Sequence, residues 1–589
     1  MTTLTPLSLF VQNPPKIDVL IVGAGPSGLT VAQEMSGQGL NIVVLESAGL
    51  LETPETADLC RVDHDGDLRS AASLSKRREF HGESTAYWDP DVQRYGVRCR
   101  VIGGSTISWA GKSATFDETD FSERPWVPLS GWPISRTELM PYLDRAADIL
   151  NLGPNVYDET FWDVAGRKAP EPEIDEARLK PFFWQFARSR VDPMDIYRSG
   201  PEFLEKQRGD VTIVTDATVL RVLTDPTGSV VRGVEAASID GAKHELSAET
   251  CILAASAVEN ARLLLLSRDA KPQGLGNDHD QVGRYLMDHP GAHVASFPEK
   301  DLKPIKKRFS FYGLSHNGRT LMYMPGLSMS PELQKEQEQL NCAVYFMMER
   351  AEDNPFDALK RLLKRQSDQP LADIKNIIAN AGIVGAGVAQ KALQSGVVPR
   401  RVKQWVSNAA ILISPNFVVE EFETRGIPHK LTGVAIHAIT EQPPRAENRV
   451  TLSDQTDRFG APLPKVAWEI GDAPRKALAG IARLVADELE ASGLPRPALA
   501  DWVQNDRPED AVIIDMAHTL GTTRMSLDPA TGVVDSDCQV HGTTGLFVAG
   551  GSVFPTSGHA NPTLMMMGVA VRLADHLKSR RAANTSEAA

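Results

Sequence analysis

The chain has 589 residues, 42% of them apolar and 23% charged, and a formal net charge of −14. That balance excludes a wholly disordered chain, the 45 glycines follow no collagen period, and the acidic surplus argues against nucleic acid as a partner. Length alone allows about four domains.

Taken in order, the N-terminal MTTLTPLSLFVQNPPK has neither the basic segment nor the apolar core of a secretory signal, so a cytoplasmic location is expected. No run of about 18 apolar residues offers a membrane span. Ile17 to Val22 is a buried-strand run, TVAQEMSGQG an amphipathic helix, and Asn41 to Ser47 a second strand. Val101 to Gly111 is a glycine-rich turn with hydroxyls, and RTELMPYLDRAADIL a helix. Residues 151 to 205 read as irregular, with prolines and aromatics. From Val211 the period is that of strands (VTIVTD, TVLRVLTD, VVRGVEAAS, CILAAS), followed by the helix VENARLLLLS. LMYMPGLSMS, AVYFMMER, AILISPNFVVEEF and LTGVAIHAIT predict an antiparallel sheet across 310–350 and 410–470. Between them, 358–408 carries nine Lys or Arg and two Asp, against the sign of the whole chain. The last 80 residues return to α/β character and close on a helix from Thr563. Five cysteines (60, 99, 251, 342, 538), odd in number and without CxxC spacing, read as reduced and mostly packed thiols, and no metal site is expected.

Gly23-Ala24-Gly25-Pro26-Ser27-Gly28 matches G-x-G-x-x-G between a strand and a helix, and Glu46 follows 18 residues after Gly28 at the end of the next strand. Gly23 allows the tight turn, Gly25 the approach of a pyrophosphate, and Gly28 the packing of helix on sheet. The helix N-terminus offers free N–H groups to phosphate, and Glu46 can accept from ribose hydroxyls. This is a dinucleotide fingerprint. With VIGGSTISW, CILAASAVENARLLL, TEQPPRAENRVTLS, HTLGTTRM and GLFVAGGSVFPTSGHANPTL in order, the sequence resembles the glucose–methanol–choline (GMC) oxidoreductases, within them the branch of pyranose oxidases and bacterial glycoside 3-oxidases. The resemblance is weakest near 350–408.

That resemblance implies an α/β (α+β overall) protein. A Rossmann-type FAD-binding domain would be assembled from 1–150, 206–295 and 510–589, with a mainly antiparallel substrate domain from 296–509 and 151–205 connecting. FAD would be touched by Gly103, Gly104, Ser105 and Thr106, by the backbone at Val219, by the Gly550-Gly551 turn, and by Asn561, Pro562 and Thr563 at a helix N-terminus facing the flavin. The position of the flavin-linking histidine of pyranose 2-oxidases is Ser108 here, so noncovalent FAD is expected.

The chemistry implied is alcohol oxidation, which needs a hydride acceptor and a base. His518 matches the family's catalytic histidine. Asn561, 43 residues on, matches its partner. His559 could line the pocket, His541 reads as a loop contact, and His576 as surface. Trp184 and Gln185 offer a sugar platform or an interface patch. Glu441 and Arg445 would approach the flavin side of the substrate sheet or form a structural salt bridge. The expected partners are a sugar or glycoside alcohol and an electron acceptor, O2 or quinone-like. A non-sugar or polycyclic alcohol and a non-catalytic FAD-binding subunit are the alternatives. Segment 358–408 reads first as solvated helices capping the substrate domain, with a lid, an oligomer contact, or docking on an anionic membrane or partner behind it.

Overall fold

The computed structural model describes residues 2–65, 75, 87–89, 92–93, 95–206, 208–350, 354–416 and 431–588. Six parallel strands form one sheet in the order Thr3–Pro6, Val211–Thr215, Ile42–Leu45, Val19–Val22, Cys251–Leu253 and Leu546–Val548. Val19–Val22 and Ile42–Leu45 are buried at every position, as a sheet covered on both faces requires. Each such aliphatic side chain contributes about 1.5–3 kcal/mol by leaving water. Segments more than 500 residues apart therefore meet in one layer. The helix Thr563–Ala588 packs against Pro26–Met35 and Arg136–Ile149, and Arg145 ties the three by pairing with Glu34 and Asp575.

The second layer is a nine-stranded sheet. Its main path runs Ala498–Leu499, Pro290–Pro298, Leu431–Thr440, Cys342–Arg350, Arg319–Met329, Leu179–Phe186 and Lys112–Ser113; Tyr312–His316 and Ile514–Asp515 pair alongside. Strand alternation sorts its side chains. Cys342, Val344, Phe346, Val434, Ile436 and Ala438 pack in one cluster with Leu478, Ile481 and Val485 of the helix Asp472–Ala491. Tyr345, Met347, His437 and Ile439, one residue out of phase, line a cavity on the opposite face.

Three segments differ from the sequence reading. Leu179–Phe186 is a strand of the nine-stranded sheet rather than irregular chain. Its Pro181 is tolerated because only Arg319–Met329 pairs with it there; Lys112–Ser113 reaches no further than Gln185 and Phe186. Ala410 to Ile413 closes the helix Arg400–Ile413 instead of starting a strand, while 417–430 lies outside the described residues. The hairpin Arg449–Thr456 with Pro462–Ala467 leaves the large sheet and pairs in parallel with Asp63–Asp65.

Candidate active site

A cavity of about 1910 Å³ runs from the C-terminal ends of the parallel strands to the open face of the nine-stranded sheet. Pockets for drug-sized ligands hold roughly 300–1,000 Å³, so this one has room for a dinucleotide and a substrate together. It is lined by Gly23, Gly25, Glu46, Gly104, Ser105, Thr106, Ser108, Val219, His518, Gly550, Gly551, Asn561, Pro562 and Thr563. Gly28 and Gly103 do not line it. A Cβ at Gly28 would sit 2.1 Å from the Gly23 carbonyl oxygen, and one at Gly103, where φ is +105°, 2.7 Å from the Gly200 nitrogen. Both glycines serve backbone packing behind the cavity wall.

The dinucleotide end has the cradle that a pyrophosphate needs. Gly25 is the N-cap of the helix Pro26–Met35, and a Cβ there would meet nothing within 4 Å. The protein thus leaves space at Gly25, beside a helix N-terminus whose first N–H groups are free to meet phosphate. Glu46 is buried and accepts from the Ala24 N–H at 3.0 Å; burial raises its pKa, while that bond and nearby Arg100 oppose the rise. The residues present fit FAD.

The chemical end is built around Asp288, which the sequence reading missed. Its Oδ1 accepts the backbone N–H groups of His289 (2.7 Å), Met516 (3.1 Å) and His518 (3.1 Å). Between the last two, Ala517 has φ +59°, a left-handed conformation costing about 1–2 kcal/mol for a residue with a Cβ. The carboxylate holds the chain in that shape, and the Met287–Leu520 backbone pair closes the arch. His518 is aimed by this arch.

A second histidine fixes the proton. The Ser557 carbonyl can only accept, so His289 Nε2 carries a hydrogen and donates it there, 3.0 Å away. Burial disfavours the charged ring of His289, which leaves it neutral with Nδ1 as a bare acceptor. His518 Nδ1 lies 2.8 Å from that atom and must be the donor. Neutral His518 therefore presents an unprotonated Nε2, 3.4 Å from Asn561 Nδ2, and the Asn561 Oδ1 is buried without a hydrogen-bond partner among the described residues. An isolated His-Pro-Gly in a chain carries no signal of this role, because the role depends on three loops meeting.

Across from the pair, His293, His437 and Tyr345 stand in register on adjacent strands, with His437 and Tyr345 stacked at 5.7 Å. The Lys112 ammonium lies 3.7 Å from the Tyr345 ring centre. All four line the cavity. None was legible in sequence, since strand register alone puts them side by side.

Other candidates are placed elsewhere. Trp184 is fully buried, edge-on to Phe182 and Tyr345, and Gln185 clamps the backbone of Gly153 and Pro154; neither lines the cavity. Glu441 pairs with Arg124 through two buried bonds of 2.5 and 2.8 Å, and Arg445 with Glu469 at the surface. His559 does not reach the cavity. It is buried against Phe182, neither ring nitrogen has a hydrogen-bond partner among the described residues, and burial lowers its pKa to about 3. His541 bonds the Ser526 carbonyl, and His576 is half-buried near Asp537. All five cysteines are buried free thiols.

Residues 203–291 and 444–570 match the two sequence models described as GMC oxidoreductase. The fructose dehydrogenase large subunit of Gluconobacter japonicus is 23% identical, over 95% of this chain and 97% of that one. A C-glycoside 3-oxidase of Arthrobacter globiformis is 23% identical over 95% of each. Among solved structures, a formate oxidase of Aspergillus oryzae shares the fold with TM-score 0.52 at 18% identity, over 96% of this chain and 98% of that one.

Proposed function

The chain belongs to the GMC oxidoreductase family, and on that premise we propose that it oxidises a secondary ring hydroxyl of a sugar or glycoside to a ketone with FAD. The observation that carries this reading is the fixed tautomer of His518, whose bare Nε2 faces the cavity beside Asn561. A hydroxyl held between them gives its proton to Nε2 while the Asn561 amide donates to its oxygen. His289 Nδ1 accepts from the imidazolium that forms, so the charge is met by a prepared acceptor. Bound FAD supplies the hydride acceptor; Gly25, Glu46, Val219, Gly550 and Thr563 would hold it.

Rings and hydrogen-bonding groups on one wall favour a sugar over a purely apolar alcohol. Tyr345 and His437 offer flat faces, and Lys112 and His293 offer polar contacts. Relatives named for fructose and C-glycosides support the same class. Ser108 lines the flavin end with a hydroxyl, which cannot form a histidyl–flavin bond, so the flavin is noncovalent. Acid precipitation then leaves the yellow colour in the supernatant; colour in the pellet refutes that part. The reading as a whole is tested by anaerobic titration of the holoenzyme with sugars and glycosides against lipophilic alcohols. Flavin bleaching by the first group is expected, and bleaching by the second alone overturns the sugar reading.

A further inference from the structure

The helices between 355 and 413 have two apolar faces. Ala386, Ala389, Leu393, Val406 and Ala410 line the active-site cavity from inside. The outer face is just as apolar. In Pro370–Ala379, Leu371, Ile374 and Ile378 fall at i, i+3 and i+7 and are 84%, 44% and 71% exposed. In Arg400–Ile413, Val402, Trp405 and Leu412 make a second stripe, with Trp405 72% exposed. Of the 19 exposed large hydrophobic side chains among the described residues, ten lie between 363 and 413. Single exposed hydrophobics are ordinary, but exposed stripes at helical spacing on two helices of one segment mark a surface that is covered in use.

Charge identifies the cover. Nine basic against two acidic residues occupy 358–408 in a chain of net charge −14, and Arg400, Arg401 and Lys403 flank Trp405. An apolar stripe bordered by Lys and Arg, with a tryptophan at its edge, is the composition of a helix lying in a lipid interface. Two such basic faces would repel each other in a symmetric pair, which argues against a second copy as the occupant. Among the described residues no single helix is long and apolar enough to cross a membrane. Pro370–Ala379 and Ala381–Leu393 pass together but bend by 83°.

We propose that the outer face of residues 363–413 docks on an anionic lipid surface, which brings the helices that wall the active-site cavity against the bilayer. The test is co-sedimentation of holoenzyme with phosphatidylcholine vesicles, with and without phosphatidylglycerol, at low and high salt. Partitioning to the anionic vesicles, weakened by salt, is expected. The triple variant Leu371→Ser, Ile378→Ser, Trp405→Ser should lower it at least about 10-fold while flavin content and melting temperature stay at wild type. The variant Lys375→Gln, Arg401→Gln should lose the preference for anionic lipid. No pelleting with vesicles, equal pelleting with both compositions, or lipid-free association of copies that the triple variant abolishes would each overturn the proposal. Because partitioning is the readout, the result stands apart from which alcohol the enzyme oxidises.

Discussion

In the proposed reaction His518 acts through one nitrogen, and the two groups around it set what that nitrogen does. Replacing His518 with Ala removes the proposed base; the flavin should remain bound and anaerobic reduction by substrate should slow about 10²–10⁴-fold. A variant reduced at the wild-type rate would exclude His518 as the base. Asn561→Ala removes one positioned donor and should cost about 10²-fold. His289→Leu touches neither substrate nor flavin. It takes away the acceptor that fixes the His518 tautomer, so reduction should slow at least about 10-fold and its pH profile should shift with flavin content unchanged. An unshifted profile would leave His289 a packing residue. The buried Arg124–Glu441 pair is structural: Glu441→Gln strands a guanidinium and should destabilise by about 3–5 kcal/mol, whereas Arg124→Met with Glu441→Leu should cost less. Equal losses, read by thermal melting, would contradict this account. His518 and Asn561 were legible because each lies in a motif of fixed spacing. His289 and Asp288 were not, because their partners come from 516–518 and 557.

At the scale of elements, the dinucleotide turn separates binding from folding. A Cβ at Gly25 meets no protein atom within 4 Å, and its φ of −79° suits any residue. Gly25→Ala should therefore fold normally as apoprotein and lose FAD. Gly28→Ala drives a Cβ to 2.1 Å from the Gly23 carbonyl oxygen and should lower the melting temperature of the apoprotein itself. Identical behaviour of the two would refute the distinction. Strands were readable where the pattern was a continuous apolar run, as in Val19–Val22 and Cys251–Leu253. PFFWQF was misread because prolines count against strands until the pairing shows that one side of Pro181 is an edge. AILI was misread because four apolar residues fit either period; packing of Arg400–Ile413 against the strand Tyr312–His316 settles the choice.

Across the whole molecule, His559 and Asp120, which lie together with Asp117, contribute in opposite senses to how stability follows pH. Burial holds His559 near 3, against an ordinary 6.5, so the unfolded chain binds a proton there that the folded one refuses; stability falls as pH drops through that window. Asp120 works the other way. Burial and neighbouring Asp117 push it up to about 7 from 3.8, so the fold keeps a proton that the unfolded chain has released, and that contribution is lost as pH rises. Between about pH 4 and 6.5 the two offset. Asp120→Asn removes the offset, and its melting temperature should fall on acidification across that range more steeply than that of the wild type. Equal slopes in the two would sink the argument.

The local chemistry could be read along the chain: the fingerprint at Gly23 to Gly28, the acidic strand end at Glu46, the pair His518 and Asn561, and the basic character of 358–408. These are carried by residues near one another in the chain or by motifs of set spacing. The rest came from the folding of distant segments onto one another. That folding brought His289 behind His518, set His293, His437 and Tyr345 in one row, removed Trp184 and His559 from the cavity, and turned one face of the basic helices inward. The physical reason is that a proton's position, a side chain's burial and a strand's register are properties of contacts between distant segments, and no local pattern encodes which segments will meet.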